Sequence, residues 1–192
     1  MQLNDTADTR KVWNHQFKLL YTLVLKSTSL SVQFQCTNTG DKSFDFTALL
    51  HSYLAVQHIS KVRISGLNNV QYIDKVLKGC ELTQSDDVSV SGETDRIYCN
   101  VSSDRGVSNI RLSDAGNADI VIKSKQFNDV VVWNPWIDKA RGMSDMGDDD
   151  YERFVCIEPG YVSQPYTLES GETFTASVGY SLVINDKQTS KI

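Results

Sequence analysis

The sequence predicts an all-β protein built from many short strands, and three observations support this. Apolar and polar residues alternate with a period of two over residues 30–36 and again over 174–184, which is the pattern of strands buried on one face. Turn-forming clusters separate such stretches, for example SGLNN at 65–69 and ESGE at 169–172. The sequence has no convincing amphipathic helix of ordinary length. We therefore expect a sandwich or a large, twisted pair of sheets.

Further strands are predicted between the turn clusters. In chain order they cover residues 17–25, 44–56, 61–64, 96–101, 119–123 and 130–133. The last of these, VVVW, is apolar throughout and suits a strand that is covered on both faces. The best candidate for a helix is a turn or two at 69–76. The first residues, NDTADTRKVW at 4–13, are expected to form a loop that joins two strands.

Composition and charge exclude several classes of partner. The 192 residues are 40% hydrophobic and 22% charged, as in ordinary globular proteins, and are expected to form one domain. The net charge of −5 argues against nucleic acids and anionic membranes, because proteins bind these through clustered Lys and Arg. No segment has the apolar stretch of a secretory signal or the ~20 apolar residues that span a bilayer. A cytoplasmic monomer is expected.

The cysteines do not predict a metal centre. Cys36, Cys80, Cys99 and Cys156 lie far apart, with no C-x-x-C pair, and only three histidines accompany them. Such spacing is typical of reduced, mostly buried thiols. Phosphate-binding glycine loops and the G-x-S-x-G elbow are also missing from the sequence. We expect no metal and no cofactor.

The stretch FDFTALLHSYLAV at 44–56 places a histidine on the polar face of a predicted strand. Because side chains alternate between the two faces of a strand, His51 is expected on the same face as Thr47 and Tyr53. From these residues alone two interpretations stay open. His51 is either a strand histidine that is hydrogen-bonded to its neighbours or part of a surface that faces a sugar.

The stretch YERFVCIEPG at 151–160 places a carboxylate after an apolar run. Alternation puts Glu158 on the same face as Phe154 and Cys156, and Pro159 is expected to end the strand. A partly desolvated carboxylate has a raised pKa, which suits a proton acceptor at neutral pH. The pattern alone favours the simpler interpretation, a glutamate exposed to water at a strand end.

Three further features have two interpretations each. Asp95, in GETDRIY, is interpreted as an ion-pair or turn partner of Arg96 or as part of a site. The tryptophans of WNPW, Trp133 and Trp136, either stack against sugar rings or pack in a corner around the Asn-Pro turn. The run MGDDDYE at 146–152 lacks the residue order of a calcium loop and predicts a solvated acidic loop.

Four segments together carry a family resemblance. They are FTALLHSYLAV, ETDRIY, VVWNPWIDKARGMSDMGDDDYERFVCIEPG and ESGETFTASVGYSLV. In this order they resemble the glucose-6-phosphate 1-epimerases, the hexose-6-phosphate mutarotases of the aldose 1-epimerase superfamily. The resemblance extends from about residue 13 to about residue 184. It implies a galactose-mutarotase-like β-supersandwich that interconverts the α and β anomers of hexose 6-phosphates without a cofactor.

The resemblance also implies roles for three residues. His51 matches the catalytic histidine of the family, Glu158 matches the catalytic glutamate, and Asp95 matches a ligand of substrate hydroxyls. Opening a pyranose ring requires a base for the O1 proton and an acid for the ring oxygen. Glu158 is expected to be that base and His51 that acid.

One part of the family pattern is not found in this sequence. Family members carry an earlier segment, with an H-G-F-A-R-type motif, whose basic residues are associated with the substrate phosphate. Residues 1–192 are therefore expected to be the C-terminal portion of an aldose 1-epimerase-like domain, truncated at its N-terminus. Arg96, Lys139 and Arg141 are available cations, but no motif match makes them phosphate ligands. The alternative function is a non-catalytic carbohydrate-binding β-sandwich or an inactive truncated form of the epimerase.

Overall fold

The computed structural model describes residues 1–101, 107–113 and 118–184, and antiparallel strands are the main secondary structure of these residues. The strands are β1 (Gln2–Asn4), β2 (Phe17–Leu25), β3 (Ser29–Asn38), β4 (Phe44–Leu49), β5 (Tyr53–Ala55), β6 (Arg63–Ser65), β7 (Gln71–Asp74), β8 (Cys80–Thr83), β9 (Thr94–Tyr98), β10 (Val107–Ser113), β11 (Ala118–Lys125), β12 (Asp129–Asn134), β13 (Phe154–Leu168) and β14 (Thr173–Ile184). Short helices are α1 (Thr9–Val12) and α2 (Trp136–Arg141), with 3₁₀ turns at Ile59–Lys61 and Asp150–Arg153. The all-β prediction is confirmed. Among the helices in the described ranges, none has the length and apolarity needed to cross a membrane.

The strands form two sheets. Within the described residues, the first sheet has the order β1-β2-β3-β14-β11-β10-β6 and the second has the order β4-β13-β12-β9-β7-β8. β5 also pairs with β13, on the same side as β4 but nearer the start of that strand. β13 is therefore a central strand, with β12 along one side and β4 and β5 in succession along the other.

Apolar side chains from both sheets form one core. The first sheet contributes Val32, Ile64, Ile110, Leu112, Ile122, Phe174 and Val178, and the second contributes Tyr98, Val130, Val132, Val155, Ile157 and Leu168. The rings of Phe46 and Phe174 join the sheets, with centroids 5.4 Å apart. Because β13 alternates, Val155 and Ile157 enter the core, and Cys156 and Glu158 project to the opposite face.

The strand predicted at 44–56 is interrupted, since β4 and β5 are separated by residues 50–52. Pro159 also does not end β13, contrary to the prediction. Its carbonyl oxygen accepts the backbone N–H of Leu50 at 3.1 Å. In an antiparallel strand the N–H and C=O of one residue point to the same side, so the N–H that proline lacks would point into the gap between β4 and β5. β13 therefore continues through Pro159 without losing a ladder hydrogen bond.

The prediction of a helix at 69–76 is wrong. Residues Gln71–Asp74 are strand β7, which pairs with β8 on one side and β9 on the other. Tyr72 and Asp74 are buried on one face, and Asn69, just before the strand, has a positive φ of 63°. A segment this short shows no decisive periodicity, so the available sheet partners determine its conformation.

Candidate active site

One face of the second sheet, which we call the site face, carries several candidate residues. Trp133 of β12 lies opposite Asp95 of β9 and Cys156 of β13, and Val131 lies opposite Glu158. Residues directly opposite each other in antiparallel strands project to the same face, and so do residues two apart in one strand. Asp95, Trp133, Cys156 and Glu158 therefore share the site face, away from the core.

His51 reaches the site face from the gap between β4 and β5. Its Nδ1 lies 2.9 Å from Glu158 Oε1. The ring stacks on Tyr53, with centroids 4.8 Å apart and planes at 15°, and meets Trp133 edge to face at 5.9 Å. The His51 side chain is 48% exposed. The predicted proximity to Tyr53 is therefore observed, although His51 does not lie within a strand as predicted.

Glu158 is buried, so the interpretation of a water-exposed strand end is wrong. Its side chain is only 3% exposed because β13 continues beyond it between two neighbouring strands. Oε1 accepts no hydrogen bond from the described residues. The contact with His51 therefore has the distance of a hydrogen bond but not the alignment. Burial raises the pKa of Glu158 to about 7; the Cys156 thiol opposes this increase, and the charge of Asp95 adds to it.

Burial shifts the pKa values of the two groups of this pair in opposite directions. Burial lowers the pKa of His51 from its ordinary value of 6.5 and raises that of Glu158 toward neutrality. Burial therefore favours the neutral form of each group. A carboxylate whose pKa lies near neutrality suits acid–base catalysis at neutral pH.

Asp95 is half-buried on the site face, two strands away from Glu158. Strands lie about 4.8 Å apart, so roughly 10 Å of sheet separates the two backbones. Arg96 is not its ion-pair partner, because Arg96 projects to the other face, with Nε 3.2 Å from Asp74 Oδ2 and its guanidinium over the Tyr72 ring. Asp95 thus remains available to the site face.

The two tryptophans of WNPW have different environments. Trp133 lies on the site face, where its ring stacks on Phe154 with centroids 5.9 Å apart. Trp136 packs against Tyr151 at 5.3 Å, away from this pair. Between them Asn134 is fully buried; its Nδ2 donates to two backbone carbonyls and its Oδ1 accepts from the N–H of Trp136. WNPW therefore supplies one ring to the site face and one to a packed corner.

The sequence did not predict the contact of a thiol with the histidine and glutamate. Ligand atoms of His51, Cys156 and Glu158 all lie within 4.8 Å of one another, and Cys156 is fully buried. These nitrogen, sulfur and oxygen donors are of the kind that holds a zinc-class cation. Period two places Cys156 beside Glu158, but only the gap between β4 and β5 brings the histidine to them.

The chain was compared with known proteins. The aldose 1-epimerase family model matches residues 1–181. The chain belongs to the aldose 1-epimerase family. It is 31% identical over 185 residues to a protein of Cenchrus ciliaris named "Putative glucose-6-phosphate 1-epimerase", covering 94% of this chain and 55% of that protein. A protein of the same name from Escherichia coli K12 is 34% identical over 164 residues, covering 85% of this chain and 52% of that protein.

Solved structures support the same family membership. The present structure matches the crystal structure of a "putative mutarotase", YeaD, from Salmonella typhimurium with a TM-score of 0.83 and 29% identity. The match covers 96% of this chain and 59% of the YeaD chain. A galactose mutarotase-like protein of Lactobacillus casei shares the fold, with a TM-score of 0.69 and 15% identity. The predicted family and fold are confirmed. The chain spans about half the length of the curated relatives it matches.

Proposed function

We propose that this chain carries the acid–base pair that interconverts the α and β anomers of hexose 6-phosphates without a cofactor. One observation carries the proposal: His51 Nδ1 lies 2.9 Å from a buried carboxylate oxygen that accepts no hydrogen bond within the described residues. Membership in the aldose 1-epimerase family supports a sugar as the substrate. The names of the relatives support a hexose 6-phosphate.

The proposed reaction opens and recloses the pyranose ring. Glu158 accepts the proton of the anomeric hydroxyl, and the O–H electron pair forms the C1–O1 double bond. The C1–O5 bond breaks, and its electron pair on O5 takes a proton from His51. Rotation about C1–C2 turns the other face of the aldehyde toward O5. The ring closes with both proton transfers reversed, so neither residue is changed after a full cycle.

Asp95 and Trp133 are proposed to hold the sugar. Asp95 is half-buried on the site face, and a carboxylate there accepts hydrogen bonds from ring hydroxyls. Trp133 and Tyr53 border His51 with their rings, and aromatic faces pack against the C–H surfaces of sugars. These groups would keep the anomeric carbon next to the pair.

A second candidate function is binding of a sugar without turnover. Two of the three cations considered for the phosphate already have partners: Arg96 pairs with Asp74, and Lys139 Nζ lies 3.0 Å from Glu93 Oε1. These pairings favour a carbohydrate-binding module over a catalyst that grips a phosphate with these cations.

Anomer exchange of glucose 6-phosphate, measured by NMR, tests the proposal. The chain is measured alone and fused behind the preceding part of the Escherichia coli relative, and galactose and mannose 6-phosphates are compared. We expect His51→Ala and Glu158→Gln to slow exchange by about 10²-fold or more, as for a lost general acid or base. Glu169→Gln, at an exposed glutamate, is the matched control.

Two other results would decide against these roles. Exchange at the unsubstituted rate in either His51→Ala or Glu158→Gln would contradict the assignment of acid and base. If glucose 6-phosphate perturbs the Trp133 indole resonance but neither form accelerates exchange, the chain is a binding module.

A further inference from the structure

We infer that the site face also holds a divalent cation of the zinc class. The ligands are His51 Nδ1, Cys156 Sγ and a carboxylate oxygen of Glu158, and the cation competes with the sugar for the same groups. This site does not require the chain to be a catalyst. Only its inhibitory effect rests on the proposed function.

The geometry of the three residues fits such a cation after a small movement. Zinc binds nitrogen, oxygen and sulfur ligands at about 2.0–2.3 Å, so tetrahedral ligand atoms lie about 3.3–3.8 Å apart. Here all three ligand atoms lie within 4.8 Å of one another, and the histidine nitrogen is already 2.9 Å from the carboxylate. Cys156 and Glu158 are fixed on one face of a central strand. His51 lies in the gap between β4 and β5, where a shift of about 1 Å breaks no strand pairing.

Glu158 provides independent support for a positively charged or hydrogen-bonding occupant. Its Oε1 is buried and accepts no hydrogen bond within the described residues. A buried acceptor without a donor destabilises the folded state. Asp95 adds a second carboxylate to the same face of the sheet. A divalent cation would satisfy the oxygen and offset much of the negative charge on this face.

The chemistry of the donors selects the class of cation. Imidazole nitrogen and thiolate sulfur favour Zn²⁺ and similar transition ions, whereas Mg²⁺ and Ca²⁺ need six or more oxygen ligands. Only one of the three donors is an oxygen. On coordination the Cys156 thiol releases its proton to solvent. His51 is half exposed, so solvent can supply the fourth ligand, as in zinc sites with an open position.

A bound cation would block the proposed reaction. It takes the lone pair of His51 Nδ1 and an oxygen of Glu158, so that the first cannot carry a proton and the second cannot accept one. Zinc would therefore act as an inhibitor that competes with sugar.

Cobalt(II) tests the site without any measurement of turnover, because a thiolate bonded to Co²⁺ gives a near-ultraviolet charge-transfer band. We expect the full chain to bind one equivalent of Co²⁺ with this band, and Zn²⁺ to displace it. Cys156→Ser should remove the band. Cys80→Ser, which alters an exposed thiol elsewhere in the fold, is the matched control and should keep it. Mg²⁺ and Ca²⁺ should neither displace the cobalt nor raise the melting temperature.

His51→Ala provides a second variant that leaves the core untouched, since His51 is exposed between two strands. Loss of this ligand should weaken Co²⁺ binding by at least about tenfold, the lower end of the effect of altering a second-shell partner. A band that persists in Cys156→Ser, or unchanged affinity in His51→Ala, would overturn the proposed ligands. Equal binding of Mg²⁺ would overturn the proposed class of cation. If Zn²⁺ binds as described but does not slow anomer exchange in an active form, the site stands and its inhibitory role is wrong.

Discussion

At the scale of single residues, the burial of Glu158 couples folding to pH. Its pKa in the folded chain, about 7, lies above the ordinary value of 4.5. Between these two values the folded chain keeps a proton that the unfolded chain has released. The contribution of Glu158 to stability is therefore greatest below pH 4.5 and falls as the pH rises through about 7.

We predict that Glu158→Gln makes the free energy of unfolding less dependent on pH between 4.5 and about 7. Up to about 3 kcal/mol of unfolding free energy should be lost in the unsubstituted chain across the window, at about 1.4 kcal/mol for each unit of pKa difference. Urea unfolding at several pH values measures this change in the free energy of unfolding, and Glu169→Gln serves as the control. Parallel curves for the unsubstituted chain and Glu158→Gln would contradict the raised pKa.

The rate of anomer exchange should follow a bell-shaped pH profile. The pair works when His51 and Glu158 hold one proton between them. Exchange should fall above about pH 7, where the last proton leaves, and fall again at more acidic pH, where the pair takes up a second proton, since burial lowers the pKa of His51 from its ordinary value. Exchange rates measured between pH 4.5 and 9 test this, and a rate that does not vary over this range would exclude the pair.

Alternation along FVCIE was enough to predict which face Glu158 shares with Cys156. Its burial was not predictable, because it depends on strands far away in sequence: β12 on one side, and β4 and β5 on the other. The position of His51 depended on the same long-range pairing. The role proposed for His51 came from the family resemblance, and no periodic pattern could have predicted its 2.9 Å contact with Glu158.

At the scale of elements, the close packing of β4 against β13 explains why the E-P-G sequence has a glycine at position 160. A Cβ at this position would lie 2.6 Å from Leu49 Cβ and 2.7 Å from the carbonyl oxygen of Ala48. Only glycine lets β4 approach β13 this closely. The approach also fixes where β4 ends, and so where the gap that holds His51 begins.

We predict that Gly160→Ala destabilises the fold by about 1–3 kcal/mol, the usual cost of overpacking. Gly92→Ala is the matched control, because nothing lies within 4 Å of a Cβ at that position. It should change the unfolding free energy by no more than about 0.5 kcal/mol. Chemical denaturation of both variants gives the comparison, and equal values for the two would contradict the close approach.

Strand positions were predictable where a clear pattern coincided with a local hairpin. The predicted strand at 17–25 has the observed bounds of β2, which pairs with β3 directly after a short turn. The prediction at 69–76 failed because partners on both sides, rather than local preference, make β7 a strand. Helix α2 was missed because the packed corner at Asn134 and Trp136 determines where it starts.

At the scale of the whole molecule, apolar surface is exposed where the two sheets meet near the candidate site. Leu25, Leu182 and Tyr53 line a common cavity of about 320 Å³. The Leu25 side chain is 81% exposed at the end of the β2–β3 hairpin. Contiguous apolar surface of this kind promotes association between molecules.

We predict that Leu25→Lys reduces self-association and leaves the unfolding free energy within about 0.5 kcal/mol. Static light scattering against concentration measures the effect. Thr22→Lys, at an exposed position of the same strand, adds the same charge without removing apolar surface. An equal reduction in both variants would assign the effect to charge alone.

The sequence predicted two twisted sheets but not their strand order. In the first sheet β14, from the end of the described chain, lies between β3 and β11. Pairings across such sequence distances leave no local pattern. The family likeness indicates them, since a structure with only 15% identity shares the fold.

The gap between β4 and β5 makes the two halves of the candidate pair separable. Glu158 is held by a central strand whose neighbours fill the core, so it can be lost only when the sheet itself comes apart. His51 lies outside the strands, and its ring contacts Tyr53 and Trp133. Segments outside the strands generally open at a smaller free-energy cost than a central sheet does. If the proposed pair is catalytic, we expect heating to reduce anomer exchange at a lower temperature than the one at which the sheets unfold. Because the His51 side chain is half exposed, the proposed proton donor can also be replaced without repacking the interior.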